Sequence, residues 1–389
     1  MTTLEPWDPD DGAARVRILF SKTYAGQPDV VTSAPGRVNL IGEHTDYNAG
    51  LCLPIALPHA TYAAARTRDD DRVRLVSGEQ GKVWEGDLAR LSSAEDWAAY
   101  AGGVVWALGE AGRPVTGIDV AVESCVPSGA GVSSSAALEC SVGLAVLELL
   151  GVPDGSELRR GLADAGIRAE AEVAGAPTGG MDQTIAVLGR PDNALLLDCR
   201  SWETRQVPFD PPAADLGLLV VDTRVHHAHS DGGYAERRAE CAEATRRLGL
   251  TSLREASVDD LGRLDDELIR RRARHVVTEI ARVTRTVRAL DDGDWPEVGR
   301  LMLDSHTSMR DDFEVSCPEL DQVVATAIEH GAAGARMTGG GFGGSAIALV
   351  PTESLHRVRT AIDDVFAERS WRRPTYLPAP ASAAARVIR

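Results

Sequence analysis

The six cysteines, Cys52, Cys125, Cys140, Cys199, Cys241 and Cys317, form no C-x-x-C pair. Scattered this way they read as buried thiols in a reducing compartment, not as a disulfide framework. No apolar run is long enough to cross a bilayer. The stretch Met1–Asp10 has no basic segment and no apolar core, so no secretory signal is expected. Positive charge is in short supply: 41 Lys and Arg stand against 58 Asp and Glu, a formal net charge of −17. That balance argues against nucleic acid or an anionic membrane as partner, and an anionic substrate would need a local basic pocket. There is no G-x-x-x-x-G-K-[ST], because Gly81-Lys82 is followed by Val83, which disfavours a P-loop ATPase. The His-Arg-Asp and Asp-Phe-Gly elements of protein kinases are missing as well. The expectation is a cytoplasmic monomer without an obligate protein partner.

What is present is a chain of 389 residues with 43% hydrophobic content, enough for two domains with sizeable cores. Helical spacing runs from about Gly12 to Ala25. Val30–Gly42 reads as two short strand pieces around a Pro35-Gly36 turn. Strands are expected at Thr61–Arg68, Val73–Ser77, Gly117–Ser124, Thr184–Leu188, Ala194–Cys199 and Leu216–Asp222, and helices at Glu95–Leu108, Ser133–Leu150 and Ser156–Val173. Pro208–Pro212 is the best boundary, giving domains at 1–207 and 208–389. Beyond it Tyr234–Leu248, Val258–Arg272, Val276–Leu290, Trp295–Met309 and Pro318–His330 read as helices. Ser345–Val350 reads as a buried strand, followed by a helix near Ser354–Glu368 and a last strand. Strands and helices mix without regular alternation, which predicts an α+β fold.

Three glycine-rich segments organise the chain. Gly129-Ala-Gly-Val-Ser-Ser-Ser135 leads from the Val126-Pro127 stop into an apolar helix. Ser133, Ser134 and Ser135 offer an N-cap and free hydroxyls. A helix start emerging from such a loop is a natural phosphate site, since its first N–H groups point outward and its dipole favours anions. Gly175–Gln183 is the second turn. Thr338–Gly344 is the third: its Gly339-x-Gly341-x-x-Gly344 spells the dinucleotide fingerprint but precedes a strand, so the context required for that reading is absent. Glu43-His44-Thr45-Asp46-Tyr47-Asn48 packs polar side chains between two apolar segments. For Glu170, Arg37 and Asp182, the residues alone leave a solvated carboxylate and a structural ion pair as open alternatives.

Together these segments resemble the GHMP kinases. Pro127-x-Gly-Ala-Gly-x-Ser-Ser-Ser-Ala136 and Thr338-Gly-Gly-Gly-Phe-Gly-Gly344 match two of the family's motifs. Ala34-Pro-Gly-Arg-Val-Asn-Leu-Ile-Gly-Glu-His-Thr-Asp-Tyr-Asn48 resembles the galactokinase signature nearly unbroken, and Gly179–Gln183 and Tyr234–Arg238 resemble two further galactokinase segments. Ala49, Thr178, Gly180 and Ser345 depart from the usual pattern. The resemblance implies two lobes: an N-terminal one like the second domain of ribosomal protein S5, and a C-terminal ferredoxin-like one with extra helices. It implies ATP-dependent phosphorylation of the anomeric hydroxyl of D-galactose, with ATP and Mg²⁺ as cofactors. On that reading Asp182 is the base and Arg37 its partner. Glu43, His44, Thr45, Asp46 and Tyr234 clamp the sugar. Gly129, Ala130, Gly131, Val132, Ser133, Ser134, Ser135 and Ser77 hold the nucleotide, with the Trp97–Tyr100 helix beside the base. Ser135 and Glu170 hold the metal. A kinase for an N-acetylated galactose and a non-catalytic sugar sensor are the competing readings. His226-His227-Ala228-His229 reads as a solvated loop, with a metal cluster as the alternative.

Overall fold

A computed structural model describes residues 2–176, 178–226 and 230–388. Three sheets form the frame. The first has six strands, in spatial order Arg386–Val387, Val30–Asn39, Pro54–Thr67, Ile118–Ser124, Arg72–Ser77 and Val83–Asp87. Only the Arg72–Ser77/Ile118–Ser124 pair is parallel. Every residue of Val30–Asn39 is buried, because alternating side chains meet apolar cover on both faces. Ala63, Ala65, Leu75 and Val120 face the helices Trp97–Glu110 and Ser134–Leu149, while Ala60, Tyr62, Ala64 and Ala121 face Val16, Phe20 and Tyr24 of Pro9–Tyr24. Ser134–Leu149 is apolar on nearly every side and accordingly lies inside.

The second sheet orders Thr2–Thr3, Thr375–Pro378, Leu216–His226, Gly343–Pro351 and Gly334–Thr338. It is covered by the helices Trp295–Ser308, Pro318–Glu329 and Leu355–Glu368. Leu51–Cys52, Asn193–Asp198 and Thr204–Pro208 make a small third sheet. The chain ends cross over: the first strand pairs in the second sheet and the last strand in the first. Between the two large sheets lies a shared core in which Val38, Ile41, Leu53, Ala130 and Val132 pack with Val220, Val283 and Ile347. Any cleft between the lobes therefore has a fixed apolar floor. No helix among the described residues is long and apolar enough to cross a membrane.

Three expectations change. Val30–Asn39 is one strand whose register slips between Pro35 and Arg37, not two pieces about a turn. Residues 184–188 are helical within Met181–Leu188: a short β-branched run is ambiguous by itself, and here it packs against two helices. The two helices expected over 258–290 become a short turn at Asp259–Arg263 and one helix, Glu267–Asp291. Arg272 and His275 look like a break in the apolar face, but both are buried with partners: Arg272 with Glu240 and Glu314, His275 with Ser308 and the Glu43 carbonyl.

Candidate active site

The strand slip at Pro35/Arg37 is what builds the site. There the Arg37 N–H donates to the Val132 carbonyl at 3.0 Å, laying the first motif against the glycine loop. The guanidinium donates from Nη1 to the Gly131 carbonyl at 2.7 Å, and from Nε and Nη2 to the two Asp182 oxygens, each at 2.8 Å. This is the planar two-bond fork that arginine makes with a carboxylate. Asp182 is the second residue of Met181–Leu188, where the helix dipole also favours negative charge. Segments 145 residues apart thus meet at one ion pair beside the serine loop.

The glycine loop does more than was expected of it. Gly129 and Gly131 take φ of 75° and 73°. Ala130 and Val132 bury their side chains in the shared core, so only their backbone is available to a ligand. Ser133, at φ 60°, makes no side-chain cap for the helix it precedes. Its hydroxyl donates to Asp182 Oδ2 instead. Ser134 and Ser135 line a cavity of about 890 Å³ together with Ser77, Trp97, Tyr100 and Ser128. The cavity and the Arg37–Asp182 pair therefore share one loop.

Ser135 Oγ donates to Glu170 Oε1 at 2.9 Å. Glu170 lies in a widened helical turn, Ala169–Val173, closed by Ala174 N–H onto the Ala169 carbonyl; such i→i+5 turns recur at functional sites. Glu170 Oε2 accepts from Thr178 at 2.9 Å and from Gln183 at 2.7 Å. Burial, then the charge of Asp182, pushes the Glu170 acid above its ordinary range, against hydrogen bonds from Gln183, Thr178 and Ser135. A hydroxyl and a crowded carboxylate suit a small hard cation that takes one or two protein oxygens and completes its shell with water and phosphate. Among the described residues no group of three or more His, Cys, Asp or Glu could hold a metal by itself.

The sugar-signature residues divide into two sets. Glu43 is buried and held at both oxygens: Oε1 accepts from Gly339 N–H at 2.8 Å and Thr338 at 3.1 Å, Oε2 from Asn39 at 2.9 Å, with Arg336 3.7 Å from Oε1. Thr45 is buried with its hydroxyl given to the Gly42 and Leu51 carbonyls. His44 is clamped between Tyr47 Oη at 2.8 Å and the Gly340 carbonyl at 3.1 Å. Burial, then His275, lowers its pKa to about 3, so the ring is neutral. Asp46 and Tyr234 are partly exposed. Asp46 Oδ2 stands 2.1 Å from where a Cβ on Gly179 would be, so only glycine fits above it. Burial, then the charge of Asp182, raises the Asp46 acid to about 6. Tyr234 packs its ring against His44 and Tyr47.

Two of the departures from the usual pattern turn out to be used. Ser345 donates to the Ala130 carbonyl at 2.6 Å, tying the third motif to the first loop. Thr178 supplies a hydrogen bond to Glu170. Ala49 sits at φ 55°, a conformation glycine adopts at less cost. Of the His226–His229 group, His227 and His229 lie outside the described residues, and only the backbone of His226 is described. Three buried residues were not singled out as site groups by the sequence: Glu139, Gln183 as a bridge, and Arg336. The Met-Asp-Gln string was the available signal for Gln183; a glutamate inside an apolar helix was the one for Glu139.

Comparison with known proteins gives this geometry a family. The galactokinase galactose-binding signature matches residues 18–67, the GHMP kinases N-terminal domain residues 99–190, and the GHMP kinases C-terminal model residues 286–368. A Streptomyces coelicolor galactokinase is 48% identical over 385 residues, 96% of this chain and 98% of that protein. The chain belongs to the galactokinases. A Bos taurus galactokinase is 42% identical over 371 residues, covering 91% of this chain and 92% of that one. The crystal structure of Lactococcus lactis galactokinase complexed with galactose superposes with a TM-score of 0.91 at 32% identity, over 96% of this chain and 99% of that chain. Methanococcus jannaschii mevalonate kinase shares the fold at a TM-score of 0.64 and 18% identity, over 92% of this chain and 99% of that chain. The α+β, two-lobed GHMP kinase architecture is thereby established for this chain, as is the family's use of ATP.

Proposed function

We propose that this chain moves the γ-phosphoryl group of ATP to the anomeric hydroxyl of D-galactose, giving α-D-galactose 1-phosphate. The observation that carries the reading is the Arg37 fork on Asp182, held against the serine loop that lines the 890 Å³ cavity. Phosphoryl transfer asks chiefly for positioning and charge neutralisation. Asp182 Oδ2 is engaged by Arg37 and Ser133, whereas among the described residues Oδ1 accepts from Arg37 Nε and keeps an acceptor site for a substrate hydroxyl. Asp182 orients that hydroxyl and takes its proton as the new bond forms. Arg37 keeps the carboxylate in place and offsets negative charge gathering at the phosphoryl group.

ATP would lie in the cavity, its base toward Ser77, Trp97 and Tyr100 and its phosphates on the backbone N–H groups from Gly129 to Ser135. Ser135 and Glu170 would hold Mg²⁺, which when bound neutralises phosphate charge. Asp46, His44 and Tyr234 form the sugar side. Asp46 can accept a sugar hydroxyl, while the neutral His44 and the Tyr234 ring shape the wall. Glu43 and Thr45 hold that wall in place from behind.

The test is a coupled ATP assay over a sugar panel, with the product identified by phosphorus NMR, for the wild type and Asp182→Asn. The expected result is anomeric phosphorylation of galactose by the wild type only, with sugar binding kept in the variant. Turnover confined to an N-acetylated galactose would replace the substrate. Sugar binding without turnover in either protein would replace the enzyme with a sensor.

A further inference from the structure

Glu139 has no part in the chemistry just described, yet its surroundings single it out. It lies in the second turn of the Ser134–Leu149 helix, wholly buried. Most of that helix carries alanine, valine, leucine and glycine, so a carboxyl group there costs free energy unless it is engaged. Its Oε2 accepts from Gln183 Nε2 at 2.9 Å. The same nitrogen donates to Glu170 Oε2 at 2.7 Å. One amide therefore spends its two protons on two acids from different helices. Gly166 makes the room: a Cβ there would meet Gln183 Cγ at 2.8 Å and Glu139 Oε2 at 3.2 Å. Glu139 Oε1 and Gln183 Oε1 are both buried without a hydrogen-bond partner among the described residues. Packing alone does not account for two unpaired oxygens and an acid where leucine would fit the apolar surroundings.

What the arrangement does is fix an amide. With Nε2 held between two acceptors, Gln183 cannot turn its carbonyl toward Glu170, and Glu170 keeps Oε1 on Ser135. We infer that Glu139 is a positioning residue for the phosphoryl transfer, acting through Gln183 to aim the Glu170 carboxylate at the metal. The inference rests on the proposed role of Ser135 and Glu170 as metal ligands. Partners behind a ligand typically change metal affinity by 10- to 100-fold when removed. Burial, then the neighbouring Glu170, holds the Glu139 acid well above the usual carboxylate range. An acceptor is what the position supplies, and a glutamine carbonyl can supply it equally.

The test compares Glu139→Leu, Glu139→Gln and Glu170→Gln by two readouts. One is the Mg²⁺ concentration giving half-maximal rate. The other, independent of turnover, is the calorimetric gain in ATP affinity when Mg²⁺ is added. Glu139→Leu is expected to raise the Mg²⁺ midpoint roughly tenfold and to shrink the calorimetric gain by a similar factor. Its KM for galactose stays at the wild-type value, and Glu139→Gln restores both readouts. Wild-type Mg²⁺ dependence in Glu139→Leu overturns the inference, and so does an equal defect in Glu139→Gln. Should Glu170→Gln also keep wild-type Mg²⁺ dependence, the metal reading itself falls. A defect in Glu170→Gln with none in Glu139→Leu removes only the positioning role. If Glu139→Leu does not fold, Gln183→Met breaks the same bridge and is read the same way.

Discussion

Glu43 and Glu170 are both buried glutamates beside glycine motifs, and their neighbourhoods are opposites. Around Glu43 the charges close among themselves. Arg336, with no exposed surface, stands 3.7 Å from Glu43 and 3.8 Å from Glu279. Glu279 also takes Arg282 at 2.7 Å, Ser305 at 2.6 Å and the Gly42 N–H at 2.9 Å. Burial alone would raise the Glu279 acid, but Arg282, Arg336 and His275 hold it at about 2. Around Glu170 the partners are neutral donors, and the charge that acts on it is that of another acid, Asp182. Arg37 is committed to Asp182. The first region balances its buried charges and ties the sugar signature to the third glycine motif. The second carries negative charge that a cation would complete, which is the condition a metal-nucleotide substrate requires.

The comparison is most sharply broken at the reacting pair. Asp182→Asn should lower kcat roughly 10³-fold with little change in the galactose KM, the usual scale for losing a positioned proton acceptor. A variant within tenfold of wild type in a steady-state assay would assign Asp182 to the scaffold. Next comes the charge contrast itself. Arg336→Met leaves Glu43 and Glu279 short of a buried cation and should cost about 3 kcal/mol or more in urea unfolding. Glu170→Gln should cost less than about 1 kcal/mol, because it removes a charge that burial opposes. Equal losses in the two variants would erase the distinction between scaffold and site.

A smaller effect concerns Asp46, whose folded-state pKa of about 6 lies above its ordinary value. Because the folded form holds the proton more tightly, the acid costs stability above pH 6, and the cost disappears as pH falls toward 4. Asp46→Asn should therefore be more stable than wild type by about 2 kcal/mol at pH 8, allowing for partial exposure, and equal to it near pH 4. Urea midpoints at both pH values decide this, and a gain that does not vary with pH contradicts it. A comparably small effect is expected for Ser133→Ala, which removes one hydrogen bond to Asp182. About 1 kcal/mol, or a fewfold drop in kcat/KM, should result.

How much of this could be read without coordinates varies by segment. The glycine loop into Ser134–Leu149, the sugar signature and the Met-Asp-Gln turn are each contiguous, and their residue types announce a phosphate loop, a polar clamp and an isolated acid. Helix starts were legible where a side chain caps them, as Asp294 does by accepting the Glu297 N–H. Residues 184–188 were not legible, since a short β-branched run suits strand and buried helix alike. The continuity of Glu267–Asp291 was hidden for a related reason. Arg272 and His275 point inward to partners supplied by Glu240, Glu314, Ser308 and the Glu43 carbonyl, which no local pattern encodes.

By itself the order of residues determined the family, the three loops and the side chains that carry charge into them, because each motif is a local statement about backbone freedom and residue chemistry. Which of those side chains are held by protein partners and which stay partly exposed was decided only by the tertiary structure. Glu43 and Asp46 sit three positions apart in one signature, yet one is buried and held by Gly339, Thr338 and Asn39 while the other stands partly exposed beneath Gly179. The physical reason is that a carboxylate's surroundings depend on which of its acceptor sites are already taken, and two of the three groups on Glu43, Thr338 and Gly339, come from a strand and turn far away in the chain.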